Sequence, residues 1–464
     1  MSLPQNIGEL RETGYHDRSV KLEMRRNLIA KLRRNQSIFP GIVGYEESVI
    51  PQIESAVLSG HDLVLLGERG QAKTRIARSL INLLDEQVPA IAGCEINDDP
   101  FQPICPVCRQ RLEASGDDVE ITWIPRDRRY SEKLATPDIT IADLIGEVDP
   151  IKVAEGRYLS DELTIHYGLI PRTNRGIFCI NELPDLGERI QVGLLNIMEE
   201  RDVQIRGYRV RLPLDLYVVV SANPEDYTNR GRIITPLKDR FGSQVRTHYP
   251  RSLEHEIAVM EQERTAFQDE GIRTYVPEYM KQVVAEITHL ARKSPDVSQR
   301  SGVSARVSIC NYENMVSSAL RRAIRLDEQL VVPRVSDLLS IIPSTQGKIE
   351  LETIGEAKED RIVDKLIQGA VLNVFNRSFS VADFETLLGR FERGFTVEVG
   401  EAMSSERYLK VIGEIPEVRR GIGQLSPDPS PAVVASAVEF ILEGLHLNRK
   451  LNKDRTAGKS RYRR

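Results

Sequence analysis

The sequence lacks any run approaching the ~20 consecutive apolar residues of a membrane-spanning helix, so no membrane-spanning role is expected. Its opening residues, MSLPQNIGELRETGYHDRS, lack the apolar centre of a signal peptide. Its five cysteines show no disulfide-framework spacing, and the expected compartment is the reducing cytoplasm. A net charge of −5 over 464 residues gives no compositional argument for a nucleic-acid partner. No internal repeat of fixed period is present. What remains is an ordinary globular composition, 41% apolar and 28% charged, at a length that suits about two or three domains.

Hydrophobic periodicity divides the chain. Residues 1–38 contain an amphipathic helix whose stripe is Val20, Met24, Leu28 and Leu32, with Arg25, Arg26, Lys31, Arg33 and Arg34 on the remaining surface. That surface reads as a solvated face, with a polyanion-binding arm as the sharper alternative. From 39 to 250 the chain alternates strands and helices. HDLVLLG, GIFCIN and LDLYVVVSAN are near-continuous apolar runs, as in parallel strands covered on both faces, and DVEITWIP is a weaker candidate. The expected fold class is an α/β, doubly wound parallel sheet with its ligand at the carboxyl ends of the strands. Beyond about residue 250 the pattern becomes helical, read as a lid at 251–345 and an extension at 346–446. The polar, basic end at 447–464 reads as disordered.

The stretch LLGERGQAKT carries the chemistry. A buried strand leads into a loop with Gly67 and Gly70, and Lys73-Thr74 opens a helix. This is the G-x-x-x-x-G-K-[ST] phosphate loop except that Ala72 replaces the last glycine. Gly67, Glu68, Arg69, Gly70, Gln71, Ala72, Lys73, Thr74 and Arg75 are therefore the candidate nucleotide-binding residues. Backbone N–H groups would face the phosphates, Lys73 would supply positive charge and Thr74 a hydroxyl for Mg²⁺. A second apolar strand ends in Asn181-Glu182. P-loop enzymes place an acidic pair at such a strand end; here Asn181 keeps a carbonyl oxygen for a metal but no charge, and Glu182 is the candidate base. A third strand ends in Asn223, able to touch both the γ-phosphate and the attacking water. Arg240 follows in PLKDRFG, as an arginine able to complete a neighbouring subunit's site, with Arg230 and Arg232 as competitors.

In order, FPGIVGYEESV, GERGQAKT, NRGIFCINELPDL, SANPED, LKDRFG and GVSARVSICNYENMVSSALRRA resemble the AAA+ ATPases, specifically the MoxR and magnesium chelatase subunit I clade. The resemblance spans about Phe39 to Ala323. It implies a ring, usually a hexamer, with ATP and Mg²⁺ at subunit interfaces. It implies Walker A roles for Lys73 and Thr74, and Walker B roles for Asn181 and Glu182. Asn223 would be sensor 1, Arg240 the arginine finger and Arg306 sensor 2, with Ile42, Val43 and Gly44 packing on adenine. A hairpin inserted at about 150–172 would contact partners, and a protein carrying a von Willebrand factor A domain is an expected partner.

A further insert, at about 91–118, holds Cys94, Cys105 and Cys108. Cys105 and Cys108 have the spacing of a zinc knuckle, but a fourth Cys or His is missing nearby. A carboxylate-completed Zn²⁺ site and free reduced thiols are both open readings. Cys179 reads as core packing. The leading functional reading is an ATP-driven ring motor or chaperone that remodels a protein. The alternatives are the ATPase subunit of a magnesium chelatase, and a nucleotide-responsive scaffold with weak or no hydrolysis, motivated by Ala72 and Asn181. The loop by which σ54 activators touch polymerase is not visible.

Overall fold

Apolar runs that periodicity cannot assign to one face become strands buried on both faces. The structure, a computed structural model, describes residues 3–148, 165–199, 203–205, 208–210, 212–224, 231–265, 271–298, 302–352, 356–412, 415–427, 430–456 and 459–464. It contains two units, Met1–His248 and Tyr249–Arg464.

The first unit begins with helices α1 (Ile7–Glu12), α2 (Val20–Arg33) and α3 (Val49–Leu58), then strand β1 (Leu63–Leu66) and α4 (Lys73–Ser79). Next come β2 (Gln87–Ile91), α5 (Pro106–Ser115), β3 (Ile121–Pro125), β4 (Tyr130–Leu134), α6 (Ile141–Leu144), β5 (Gly146–Val148) and β6 (Ile165–Tyr167). They are followed by α7 (Leu169–Arg172), β7 (Gly176–Asn181), α8 (Glu188–Glu199), the hairpin β8 (Val203–Ile205) and β9 (Tyr208–Val210), β10 (Leu216–Ala222), α9 (Thr235–Arg240) and β11 (Ser243–Arg246).

The central sheet is parallel throughout, in the order β11-β1-β10-β7-β4. Alternate residues enter opposite cores. Leu63, Leu65, Cys179 and Val219 pack with Met24, Leu28 and Ile53 on one face. Val64, Phe178, Ile180 and Val220 pack with Leu194, Ile197 and Leu237 on the other. Because β10 lies between β1 and β7, with Leu66 beside Ala222 and Ile180 beside Val220, three strands end side by side. Gly67, Asn223 and Asn181-Glu182 are thereby brought together at the carboxyl edge, where open α/β sheets bind ligands.

Several sequence expectations change. DVEITWIP does not join the central sheet: β3 pairs antiparallel with β2. The edge position is taken by β4, YSEKL, whose half-exposed polar residues hid it from an apolar-run criterion. The N-terminal helix is no detached arm. Val20, Met24 and Leu28 are fully buried, and Arg26 pairs with Asp85 at 2.5 Å. Inside the packing, Glu23 accepts two bonds from the Arg129 guanidinium, at 2.7 and 2.6 Å, with both residues nearly inaccessible. Of the expected hairpin insert, β5 and β6 form a paired root; residues 149–164 and Arg230 lie outside the described residues.

The second unit contains α10 (Leu253–Glu263), β12 (Arg273–Thr274), α11 (Glu278–Ala291), α12 (Arg306–Arg325), β13 (Leu330–Val331), α13 (Ile342–Gln346), α14 (Glu356–Ser378) and α15 (Glu385–Glu392). β14 (Val397–Gly400), α16 (Ser405–Ile412), α17 (Pro416–Leu425), α18 (Pro431–Leu447), β15 (Asn452–Thr456) and β16 (Lys459–Arg463) complete it. The expected division into a lid and an extension at residue 345 is not observed, because one apolar core runs from Ile257 through Val371 to Tyr462. The supposedly disordered tail is also corrected. β15 and β16 form a hairpin that pairs with β14. Alternation in KSRYR turns Tyr462 inward, 2% exposed, while Arg461 and Arg463 face solvent. Among the described residues no helix is long and apolar enough to cross a membrane.

Candidate functional site

The loop between β1 and α4 is held from both sides. Gln71 Oε1 accepts from the Glu68 N–H at 3.1 Å and from Thr247 Oγ1 at 2.7 Å. The Tyr45 hydroxyl bonds the Gln71 carbonyl at 3.0 Å, and burial pushes this phenol up to about 12, so it remains protonated. Gly67 is required sterically: a β-carbon there would overlap Thr247 Oγ1 and Gln71 Oε1. Ala72 sits at φ 55°, ψ 16°, in the left-handed region, immediately before the helix. The missing glycine therefore matters through backbone conformation, at a cost of about 1–2 kcal/mol for an L-residue, rather than through the bulk of a methyl group. A cavity of about 160 Å³ flanks the loop, lined by Gly67, Glu68, Gln71, Pro224, Arg246 and Thr247.

Lys73, 7% exposed, points its ammonium into the site. It donates to the carbonyls of Gly67 and Glu68, the latter at 2.9 Å, and to Asn223 Oδ1 at 2.7 Å. Asn223 Nδ2 donates in turn to Glu182 Oε2. The amide orientation follows from charge, since the carbonyl oxygen must face the cation and the NH₂ the carboxylate. The three candidate residues thus form one hydrogen-bonded line from phosphate loop to candidate base. Glu182 itself is left-handed at φ 57°, with its N–H on Ser221 Oγ at 3.1 Å.

Asn181, 7% exposed, accepts from Ser221 Oγ at 3.2 Å and donates to Glu132 Oε1 at 2.6 Å. Glu132 was not among the sequence candidates. It lies on β4 opposite Cys179, so it shares a face with Asn181, and Arg78 holds its carboxylate at 2.7 and 3.0 Å. Its only sequence signal is an acidic residue inside a short polar strand. Gln71 as a brace and Tyr45 and Thr247 as its partners were likewise missed, since their spacing in sequence exceeds any local motif.

Of the other expected residues, Ile42 is buried with the α2–α3 core, and Val43 and Gly44 follow it, Gly44 at φ 81°. Arg69, Gly70 and Arg75 are exposed and Thr74 is half-buried at the start of α4. Arg240 ends α9, half-buried, with Nη1 on the Pro236 carbonyl at 2.7 Å, and Leu237 anchors that helix in the core. Arg306 opens α12 in the second unit and is exposed. Arg232 is exposed, its carbonyl accepting from Gln191. Burial pushes the Cys179 thiol up to about 12, in keeping with a packing role. Cys94, Cys105 and Cys108 do come together, and Asp98 joins them. Hydrogen bonds from the other two thiols pull Cys94 down to about 3, while burial pushes Asp98 up.

A parallel sheet, a phosphate loop on an inner strand and the line Lys73–Asn223–Glu182 at its edge define a P-loop α/β fold with the AAA+ order of elements. No protein-family model matches the chain. It is 24% identical over 253 residues to magnesium-chelatase subunit ChlI-2 of Arabidopsis thaliana, covering 52% of this chain and 56% of that protein. Against ChlI of Oryza sativa subsp. indica it is 24% identical over 335 residues, covering 66% and 74%. A chain of the cryo-EM BchI–BchD complex of magnesium chelatase aligns at 20% identity with a TM-score of 0.37, over 71% of this chain and 98% of that one. The chain is thus similar to subunit I of magnesium chelatase, and it spans little more than half the length of the first of these relatives.

Proposed function

We propose that this chain hydrolyses ATP as one subunit of a hexameric ring, a motor or chaperone that uses the energy to remodel a protein partner.

 Support comes first from the line Lys73–Asn223–Glu182, which joins phosphate contact, γ-phosphate sensing and base in one hydrogen-bonded unit. The residues fit the ligands. A cavity of about 160 Å³ runs along Gly67, Glu68 and Gln71, and the buried Lys73 ammonium meets the carbonyls of the first two. Thr74 Oγ1 and Asn181 Oδ1 would hold Mg²⁺, which when bound neutralises charge on the β- and γ-phosphates. Glu132, bonded to Asn181, supplies the carboxylate that Asn181 lacks.

Glu182 takes a proton from water as its oxygen bonds the γ-phosphorus, and the bridging P–O bond breaks to leave ADP and inorganic phosphate. Lys73 and the Asn223 amide stabilise the charge on the transferring group. Arg240 acts on the neighbouring subunit's nucleotide, Arg306 takes the sensor 2 role, and Ile42, Val43 and Gly44 meet adenine. The protein partner carries a von Willebrand factor A domain.

The test measures ATP binding by calorimetry and phosphate release on the same preparations. Lys73→Ala should lose binding, whereas Glu182→Gln should bind and not hydrolyse. Arg240→Ala should bind yet lose turnover, and mixing it with Glu182→Gln subunits should restore a measurable fraction. Wild-type protein that binds ATP without releasing phosphate would leave only the scaffold reading. The ChlI relatives favour a second reading, the ATPase subunit of a magnesium chelatase; stimulation of turnover by porphyrin and the other chelatase subunits would select it.

A further inference from the structure

Helix α5 has a stability problem: along Pro106–Ser115 the one fully buried side chain is Cys108. A ten-residue helix whose apolar face is Cys108 and the half-buried Leu112 alone has little to hold it against the unit. Cys108 instead faces three other potential ligands. Cys94 follows β2, Cys105 caps α5, and Asp98 lies on the loop between them. The sulfur atoms and a carboxylate oxygen of these four residues all lie within 4.8 Å of one another, with Cys94 and Cys105 Sγ at 4.0 Å. Tetrahedral zinc, with Zn–S near 2.3 Å, sets its sulfurs about 3.8 Å apart. The thiols are free rather than paired in a disulfide.

We propose that Cys94, Asp98, Cys105 and Cys108 form a structural zinc site that fastens α5 and the 94–105 loop to the first unit. The surroundings suit ligation. Asp98 is completely buried, and its carboxylate is aimed by the Ile104 and Cys105 N–H groups at 3.2 and 2.9 Å. Among the described residues no cation pairs with it, and a carboxylate buried in that way calls for a positive charge. The Asp98 N–H points at Cys94 Sγ, 3.5 Å, and the Cys108 N–H at Cys105 Sγ, 3.3 Å, the outer hydrogen bonds that steady metal-bound thiolates. Three thiolates and a carboxylate at tetrahedral spacing select zinc over oxygen-seeking Mg²⁺ or Ca²⁺. The loop also reaches the root of the inserted hairpin: Asn97 Nδ2 donates to the Arg172 carbonyl at 3.1 Å, and Glu95 pairs with Arg172 at 3.2 Å. A metal here would fix the segment on which that hairpin stands, independently of whether the chain hydrolyses ATP.

The test is metal content of the full-length wild-type protein, purified under reducing conditions with zinc in the medium, by elemental analysis. About one zinc per chain is expected, released by a thiol-modifying mercurial together with loss of protection of residues 94–115 in hydrogen exchange. Cobalt exchanged into the site should show thiolate-to-metal charge transfer and tetrahedral d–d bands. Asp98→Asn should lower zinc affinity tenfold or more while keeping the charge-transfer band, and Cys108→Ser should lose zinc altogether. Wild-type protein that holds no zinc, even after addition of the metal alone, overturns the proposal without any variant. So does zinc bound equally well by Cys108→Ser.

Discussion

Replacing Arg129 with Met should destabilise the first unit far more than an ion pair on the surface would. Arg129 is 2% exposed and gives Glu23 two bonds, while its Nε donates to the Arg175 carbonyl at 2.7 Å. Glu23 also accepts from the Asp85 N–H at 2.6 Å, so the pair ties α2, the turn after α4 and the entry to β4 together. Arg129→Met strands a buried carboxylate, at a cost of about 3–5 kcal/mol. For a unit the size of Met1–His248 the unfolding entropy is about 0.5 kcal/mol per degree, so Tm should fall by about 6–10 °C. Glu23→Leu alone should cost about as much, because it strands the guanidinium. The double variant removes both charges and leaves the Asp85 N–H and Arg175 carbonyl unpaired, costing about 1–3 kcal/mol each. It should therefore lose less than the sum of the single variants, by about 4 kcal/mol. Calorimetry on all four proteins gives the cycle. A loss under about 1 kcal/mol for Arg129→Met, the value of an exposed pair, or additive single losses, would refute the reasoning.

Two further variants test other contacts. Asn223→Ala should lower ATP turnover about 10²–10³-fold, the usual cost of one transition-state donor, with a much smaller change in ATP affinity; unchanged turnover in a phosphate-release assay would remove Asn223 from the mechanism. Gly444→Ala places a β-carbon inside the Phe375 ring and should cost about 1–3 kcal/mol in urea unfolding of the second unit. Gly389→Ala, with nothing near its added β-carbon, should instead gain about 1 kcal/mol from helix propensity, and equal effects at the two sites would contradict the packing described.

Motifs made of neighbours in sequence were legible before the structure. The phosphate loop, the three strand ends and the helix at α2 all appear where local pattern places them. Residues joined only by folding were not. Glu132 meets Asn181 because β4 and β7 pair, and Thr247 braces Gln71 across 176 positions. Asp98 could not be selected among the acids of its insert until the chain turned it toward three sulfurs. Ala72 was visible as a departure, but the left-handed backbone that gives the departure its cost was not. The basic end misled in the opposite way: composition argued for disorder, while a period of two, only five residues long, carried a strand.

That strand sets a timetable for synthesis. β16 lies between β14 and β15, so β14 has no partner until residues 459–463 have been made. Gly400 and Lys459, paired in the sheet, are 459 − 400 = 59 positions apart. At ~5–20 residues per second, β14 waits on the order of 3–12 s on the ribosome for the strand it pairs with. Through the same interval Glu443 lacks the Tyr462 hydroxyl and the Lys453 ammonium that cover it in the finished unit. The second unit is consequently completed late, from its far end, whereas every strand of the first unit's central sheet has been made by Arg246.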